Sequence, residues 1–293
     1  EYNRLPFGLT NSPATYQRVM EEILGDLHMR ACLIYLDDII IFSRTYEEHL
    51  ERLQQVFKRI RDSGLKLAPR KCKFFHEKVV YVGHQVSSSG IAPDPDKVAC
   101  IRDWPTPKTP EDVRRFLGFA GYYRKFVRDF AKIAAPLSTL MPAPAKKKRG
   151  RRKPESSQRP WTWNDAEQKA FDTLKMALAS PPVLGYADFS KPFVLHTDAS
   201  ALGLGAVLYQ LQDGEKKVIA YASRALGKAE KNYPAHKLEF LALKWSVTDK
   251  FKDYLYGAHF EVQTDNNPLT YVLTTAKLDA CGHRWLAALA AFV

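Results

Sequence analysis

Apolar and polar positions along this chain switch between a period near 3.6 and a period of two, and the switches mark its elements. Two short apolar runs, Ala31-Cys32-Leu33-Ile34 and Ile39-Ile40-Ile41-Phe42, lie on either side of Tyr35-Leu36-Asp37-Asp38. Runs of that length and β-branched content predict strands, and the polar pair between them predicts a tight hairpin turn. Helical spacing flanks the hairpin. Asn11 or Ser12 caps a helix with Pro13 at its first position and Tyr16, Val19, Ile23 and Leu24 as its apolar stripe. Thr45 and Glu48 make a capping box for a second helix, in which Leu50, Leu53, Val56, Phe57 and Ile60 face inward and which Gly64 ends. Residues 65–93 predict two or three strands, at 66–68, 73–75 and 79–86, with a Ser/Gly turn at 87–90.

Residues 94–140 are helical in pattern and basic. Thr109 caps a helix starting at Pro110, with Phe116, Leu117, Phe119 and Ala120 on its apolar face. Another capped helix, Asn164 with Glu167 three later, carries Ala170, Phe171, Leu174 and Leu178 inward across residues 161–179. From Phe193 the period returns to two. Residues 193–198 predict a strand ending in an acid and 199–205 a small-residue turn. Residues 206–210 and 217–223 then predict antiparallel strands joined through Asp213-Gly214. Residues 234–253 predict a helix with Leu238, Leu241, Ala242 and Trp245 facing in and Glu239 beside them, and 260–264 predict a last strand that ends at Asp265. The order of elements describes an α+β chain of more than one domain.

Charge changes the picture. Of 293 residues, the first 185 hold 32 Lys and Arg against 21 Asp and Glu, whereas the remainder holds 12 against 11. A basic front and a near-neutral back point to a polyanion, most simply nucleic acid, handled by the front. The block Lys146-Lys147-Lys148-Arg149-Gly150-Arg151-Arg152-Lys153 repels itself and reads first as a linker, with non-specific phosphate contact or nuclear import as further readings. The four cysteines lie far apart and none forms a Cys-x-x-Cys pair, which argues against a zinc ribbon or a disulfide framework. No apolar run reaches the length of a membrane span, so no membrane partner is expected.

Three groups of residues carry candidate chemistry. Asp37 and Asp38 at a hairpin tip fit either ordinary turn chemistry or a hard divalent cation held by oxygen ligands. Asp198, Glu239 and Asp265 come from a strand, a helix and a second strand, the kind of rigid delivery that two-metal phosphodiester hydrolysis needs. Gly121-Tyr122-Tyr123-Arg124-Lys125-Phe126 interleaves aromatics with cations, so that rings could stack on bases or sugars while Arg and Lys meet phosphates. Core packing is the competing reading for those aromatics.

These motifs come in a telling order. Leu5-Pro6-Phe7-Gly8-Leu9, then Ser12-Pro13-Ala14-Thr15-Tyr16-Gln17 opening a helix, then Tyr35-Leu36-Asp37-Asp38 in a hairpin, resemble the palm of a reverse transcriptase of the gypsy-type LTR retrotransposon family. Thr197-Asp198-Ala199-Ser200, Lys237-Leu238-Glu239 and Thr264-Asp265-Asn266 resemble the ribonuclease H domain of the same elements. The resemblance implies a partial palm over residues 1–93, a helical thumb over 94–145, a basic linker over 146–160, a connection over 161–185 and a truncated mixed α/β ribonuclease H-like domain over 186–293. It implies that Phe7 and Gly8 line an incoming-nucleotide pocket and that Asp37 is a Mg²⁺ ligand, with Asp38 the lesser candidate. It further implies that Tyr81, Val82, Gly83 and His84 form a primer grip, and that Arg224, in a Tyr-x-Ser-Arg segment, lies near substrate or is structural. Asp198, Glu239 and Asp265 would hold Mg²⁺, or Mn²⁺, in the nuclease. Asp279 and His283 match no motif of that nuclease.

The implied parent is a pol polyprotein that makes DNA on RNA and cuts the RNA of RNA–DNA hybrids. Its partners would be template–primer duplex, hybrid, deoxynucleoside triphosphates and the rest of the polyprotein, in cytoplasmic virus-like particles and the nucleus. The family's first polymerase aspartate would precede Leu5 and its fourth nuclease acid would follow Val293, so the chain reads as an excerpt with polymerisation unsupported on its own. A non-catalytic nucleic-acid-binding remnant is the alternative from another class.

Overall fold

The computed structural model describes residues 8–141, 161–264 and 278–292. The chain divides into two compact units, one up to Ser88 and one from Ser89.

The first unit opens with helix α1 (Ser12–Leu24), which has proline in its first turn and buries Met20 and Leu24. The stripe predicted through Val19 is displaced by one position: Val19 is exposed and Met20 is 3% exposed. Met20 lies four residues from both Tyr16 and Leu24, on the face that packs into the core. Strands β1 (Cys32–Tyr35) and β2 (Asp38–Ile41) form the expected antiparallel hairpin. Helix α2 (Tyr46–Asp62) starts at Thr45, whose hydroxyl accepts the Glu48 amide at 3.2 Å, while the Glu48 carboxylate reaches back to the Arg44 amide at 2.7 Å. Met20, Leu24, Cys32, Ile34, Val56 and Ile60 share one core.

Residues 66–68 and 73–75 are not strands. A 3₁₀ turn at Pro69–Lys71 separates them, because Pro69 lacks the amide a ladder needs. Residues 79–86 are not one strand but a hairpin of β3 (Lys78–Tyr81) and β4 (His84–Ser87), turned at Val82-Gly83.

In the second unit, β5 (Gly90–Pro93) leads into α3 (Pro95–Arg102) and α4 (Pro110–Tyr122). A 3₁₀ turn (Arg124–Phe126), α5 (Phe130–Ile133) and α6 (Ala135–Thr139) follow. The next helix, α7 (Asp165–Ala179), shows the expected Asn164–Glu167 capping box. Phe116, Phe126, Leu137, Phe171, Leu174 and Leu178 are buried in one core, so residues before 142 and after 160 fold together. Ile91 exchanges both backbone hydrogen bonds with Leu184, at 2.8 and 2.9 Å.

A mixed four-stranded sheet completes the unit in the order β8–β7–β6–β9. Its strands are β6 (Phe193–Ser200), β7 (Gly203–Gln212), β8 (Glu215–Ala225) and β9 (Phe260–Gln263), antiparallel except for β6 with β9. The predicted turn at 199–205 shrinks to residues 201–202, since small residues are accepted in paired strands when both neighbours supply the ladder. Helix α8 (Ala235–Trp245) packs on one face through Leu238, Leu241 and Ala242. The helix predicted for 234–253 is broken by a π turn at Ser246–Lys250 before α9 (Lys252–Leu255). An i→i+5 ring inserts a residue and shifts the apolar stripe, so that Val247, Phe251 and Leu255 are buried out of α-helical phase with Leu238, Leu241 and Ala242. The last helix, α10 (Ala280–Leu289), is capped by Asp279, which accepts the Gly282 amide at 2.7 Å. No described helix is long and apolar enough to cross a membrane.

Candidate functional site

Two carboxylate-bearing sites are delivered by different local devices. At the first, the turn between β1 and β2 consists of Leu36 and Asp37, with Tyr35 facing Asp38 across the ladder. Leu36 stands at φ 51°, unusual for a γ-branched residue, so the turn needs an outside clamp. Gln17 on α1 supplies it: its side-chain oxygen accepts the Leu36 amide at 2.7 Å and its side-chain nitrogen donates to the Ile34 carbonyl at 3.2 Å. Gln17 stands in the Ser12–Gln17 motif with no role legible from the sequence. Its only signal was a polar residue on the flank of an amphipathic helix. The clamp leaves Asp37 and Asp38 exposed at the tip.

The surroundings of this tip are phenolic. Burial, then the Asp37 carboxylate, raises the Tyr16 pKa. Tyr81, on the β3–β4 hairpin, is pushed up to about 12 by burial first and then by Asp38 and Cys32. The hairpin predicted to grip a primer therefore presents a neutral phenol to the Asp38 carboxylate. Its turn residues Val82 and Gly83 both have positive φ, 46° and 68°, the pairing that suits a two-residue hairpin, and His84 Nδ1 lies 2.8 Å from the Val82 carbonyl oxygen. Gly8, at φ 92°, is exposed, with nothing within 4 Å of where a Cβ would be. Phe7 lies outside the described residues.

At the second site, β6 carries Asp198 and α8 carries Glu239. Asp198 is exposed; Glu239 is 8% exposed, and its Oε1 accepts the Ala199 amide at 3.2 Å. One hydrogen bond thus fixes the helix carboxylate beside the strand residue that follows Asp198. Both groups are hard oxygen donors, the chemistry a Mg²⁺ or Mn²⁺ ion takes. Asp265 lies outside the described residues, and among the described residues no three acid, His or Cys side chains converge as a ready metal cluster. His196 sits two residues before Asp198, on the same face. Its Nε2 lies against the Tyr209 hydroxyl and 2.5 Å from Gln263 Oε1. Strand alternation alone could have placed these three on the Asp198 face, but not in contact across β7, β6 and β9.

The cation–aromatic run is mostly inward. Tyr122 is exposed, Tyr123 is 2% exposed, and burial pushes the Tyr123 phenol up to about 12, with Asp94 and Tyr122 adding to it. Arg124 donates to the Ser223 carbonyl and lies 5.4 Å above the Phe130 ring centroid. Lys125 lies 5.2 Å above the Phe126 ring, and burial, then Lys250, lowers its pKa. Arg224 forms a two-pronged pair with Glu230, at 2.6 and 2.9 Å, and covers the Trp245 ring.

With this geometry in view, comparison with known proteins decides the family. Residues 1–86 match reverse transcriptase (RNA-dependent DNA polymerase), and residues 163–262 match the RNase H-like domain found in reverse transcriptase. The chain belongs to the reverse transcriptase family. It is 40% identical over 292 residues to the retrovirus-related Pol polyprotein from transposon opus and 38% identical over 288 residues to that from transposon gypsy, both of Drosophila melanogaster. These alignments take in 98% and 97% of this reverse transcriptase chain, which spans 28% and 27% of the two polyproteins. A polyprotein of transposon Tf2-3 from Schizosaccharomyces pombe is 32% identical over 272 residues, covering 92% of this chain and 19% of its own length. The fold is shared with the foamy viral protease-reverse transcriptase solved in complex with an RNA/DNA hybrid. That match has TM-score 0.81 and 23% identity and covers 98% of this chain and 38% of the other.

Proposed function

We propose that this chain is the part of a gypsy-type retrotransposon Pol polyprotein that joins RNA-directed DNA synthesis to cleavage of the RNA strand of RNA–DNA hybrids. The observation that carries the nuclease half is the Glu239 carboxylate anchored on the Ala199 amide next to Asp198. Asp198 and Glu239, with Asp265, would hold Mg²⁺ or Mn²⁺, and a bound ion supplies an activated water and charge stabilisation at the leaving oxygen. The chain's own contribution is rigidity: the Glu239 carboxylate is buried and held on the Ala199 amide, and Asp198 stands on a strand paired along its length.

In the polymerase half, Asp37 and Asp38 are the acids that would face the primer end and the triphosphate of a deoxynucleotide. Gly8 would let backbone approach the nucleotide, with Phe7 beside it. The hairpin Tyr81-Val82-Gly83-His84 would hold the primer strand, its Tyr81 phenol staying neutral at any physiological pH. Template–primer duplex, hybrid and the remainder of the polyprotein are the expected partners, in a cytoplasmic particle and in the nucleus.

The test is cleavage of a hybrid with end-labelled RNA in Mg²⁺ and in Mn²⁺. Asp198→Asn and Glu239→Gln each should lower the rate by at least about a hundredfold while hybrid binding is kept. Equal rates in wild type and both variants would overturn the assignment.

A further inference from the structure

The strand that carries Asp198 is tied to the cation–aromatic run and the residues after it. In the ladder Asp198 pairs with Gly205, and Gly205 pairs with Ser223. Residues directly opposite one another share a face, so one row runs across β6, β7 and β8 with Asp198 at one end. The other end is held by the segment that follows α4. Ser223 is 6% exposed; its Oγ accepts the Ala131 amide at 2.9 Å, and its carbonyl accepts the Arg124 guanidinium.

The middle of the row is covered as well. A Cβ added to Gly205 would lie 3.0 Å from Asp129 Oδ1, so the glycine marks a place where that carboxylate sits directly on the sheet. Asp129 is locally fixed: it stands at φ 55°, and its carbonyl accepts the Lys132 and Ile133 amides at 2.9 and 3.0 Å. Arg124 is half-buried over Phe130, a position that commits its charge inward.

We propose that the segment Arg124–Ala131 braces this row, and that Ser223 and Gly205 are positioning residues for the Asp198 carboxylate. The proposal rests on reading Asp198 as a nuclease acid. It gives Arg124 a role in supporting the nuclease in place of a phosphate contact, and it ties the residues after α4 to the position of a metal-binding side chain.

The experiment uses the whole chain and reads hydrogen exchange in peptides covering β6, together with hybrid cleavage and the salt dependence of hybrid binding. Ser223→Ala and Gly205→Ala should each speed exchange of the β6 amides near Asp198 by about fivefold or more and leave α7 unchanged. Cleavage should fall mainly in kcat, with KM for the hybrid held. Adding Asp129→Gly to Gly205→Ala should restore both readouts, because glycine accepts a positive φ and removes the clashing oxygen; Asp129→Asn should not. Arg124→Met should leave the salt slope of binding unchanged. Unchanged β6 exchange in both single variants, or no restoration by Asp129→Gly, would overturn the brace. A salt slope reduced by about one in Arg124→Met would return Arg124 to the phosphates. If wild type cleaves no hybrid, the nuclease reading fails, and the exchange data still decide whether the brace exists.

Discussion

Among the described residues, burial changes the chemistry of the Tyr81 and Tyr123 phenols. Both phenols are pushed up to about 12, in each case by burial first. The neutral form is favoured in the folded chain, so this stabilisation is complete below the ordinary phenol pKa near 10 and is lost as pH rises from there through about 12. Spectrophotometric titration should therefore show a late class among the 14 tyrosines. Tyr81→Phe should remove part of that class and leave the earlier transitions in place. A second residue-scale prediction concerns Gln17. Gln17→Ala removes both bonds to the Leu36 turn and should cost about 1 kcal/mol in the first unit. Gln17→Glu keeps an acceptor for the Leu36 amide but has no donor for the Ile34 carbonyl, so it should fall between, as read by thermal melting. Caps such as Thr45, Thr109 and Asn164 were legible because they act within four residues. Gln17 was not, because its partners lie 17 and 19 residues away.

Among the elements, the paired strands and capped helices were legible from spacing, and the departures have local causes. The readings at 66–68 and 73–75 failed because short apolar stretches do not report whether a partner strand is available. The π turn at Ser246–Lys250 did leave a signal, since the stripe read through Trp245 resumes out of α-helical phase at Val247, Phe251 and Leu255. Gly90 looked like an ordinary turn residue, yet the structure gives it a specific demand. It stands at φ 133°, and a Cβ there would lie 2.1 Å from the Leu184 carbonyl oxygen. Backbone cannot rotate away as a side chain can, so Gly90→Ala should open the Ile91–Leu184 bridge and cost more than about 2 kcal/mol in the second unit. Calorimetry of the whole chain would show this as a selective loss in one transition. Equal melting of wild type and variant would mean that the segment relaxes freely. At the candidate site, Asp198 and Glu239 were named as candidates from their elements and the resemblance, whereas the Ala199 bond and the row through Gly205 and Ser223 required the fold.

At the scale of the whole molecule, charge is divided unevenly along the chain. The excess of cations in the first 185 residues should make binding to duplex and hybrid fall steeply with salt, since each phosphate neutralised adds about −0.9 to the slope of log K against log salt. The inward placement of Arg124 and Lys125 removes two cations that composition alone would have counted toward that footprint. The basic block at 146–153 is then the largest concentrated source left in the sequence. Replacing Lys146, Lys147, Lys148 and Arg149 by serine should flatten the slope by about 2–4 and weaken duplex and hybrid alike, because a charge run carries no means of telling A-form from B-form helices. Hybrid cleavage at saturating substrate should stay as in wild type, since these residues are remote in sequence from Asp198 and Glu239 and supply no carboxylate. Equilibrium binding across a salt series, with duplex and hybrid of one sequence, decides it. A loss confined to the hybrid would give the block a part in substrate choice, and an unchanged slope would leave it a spacer.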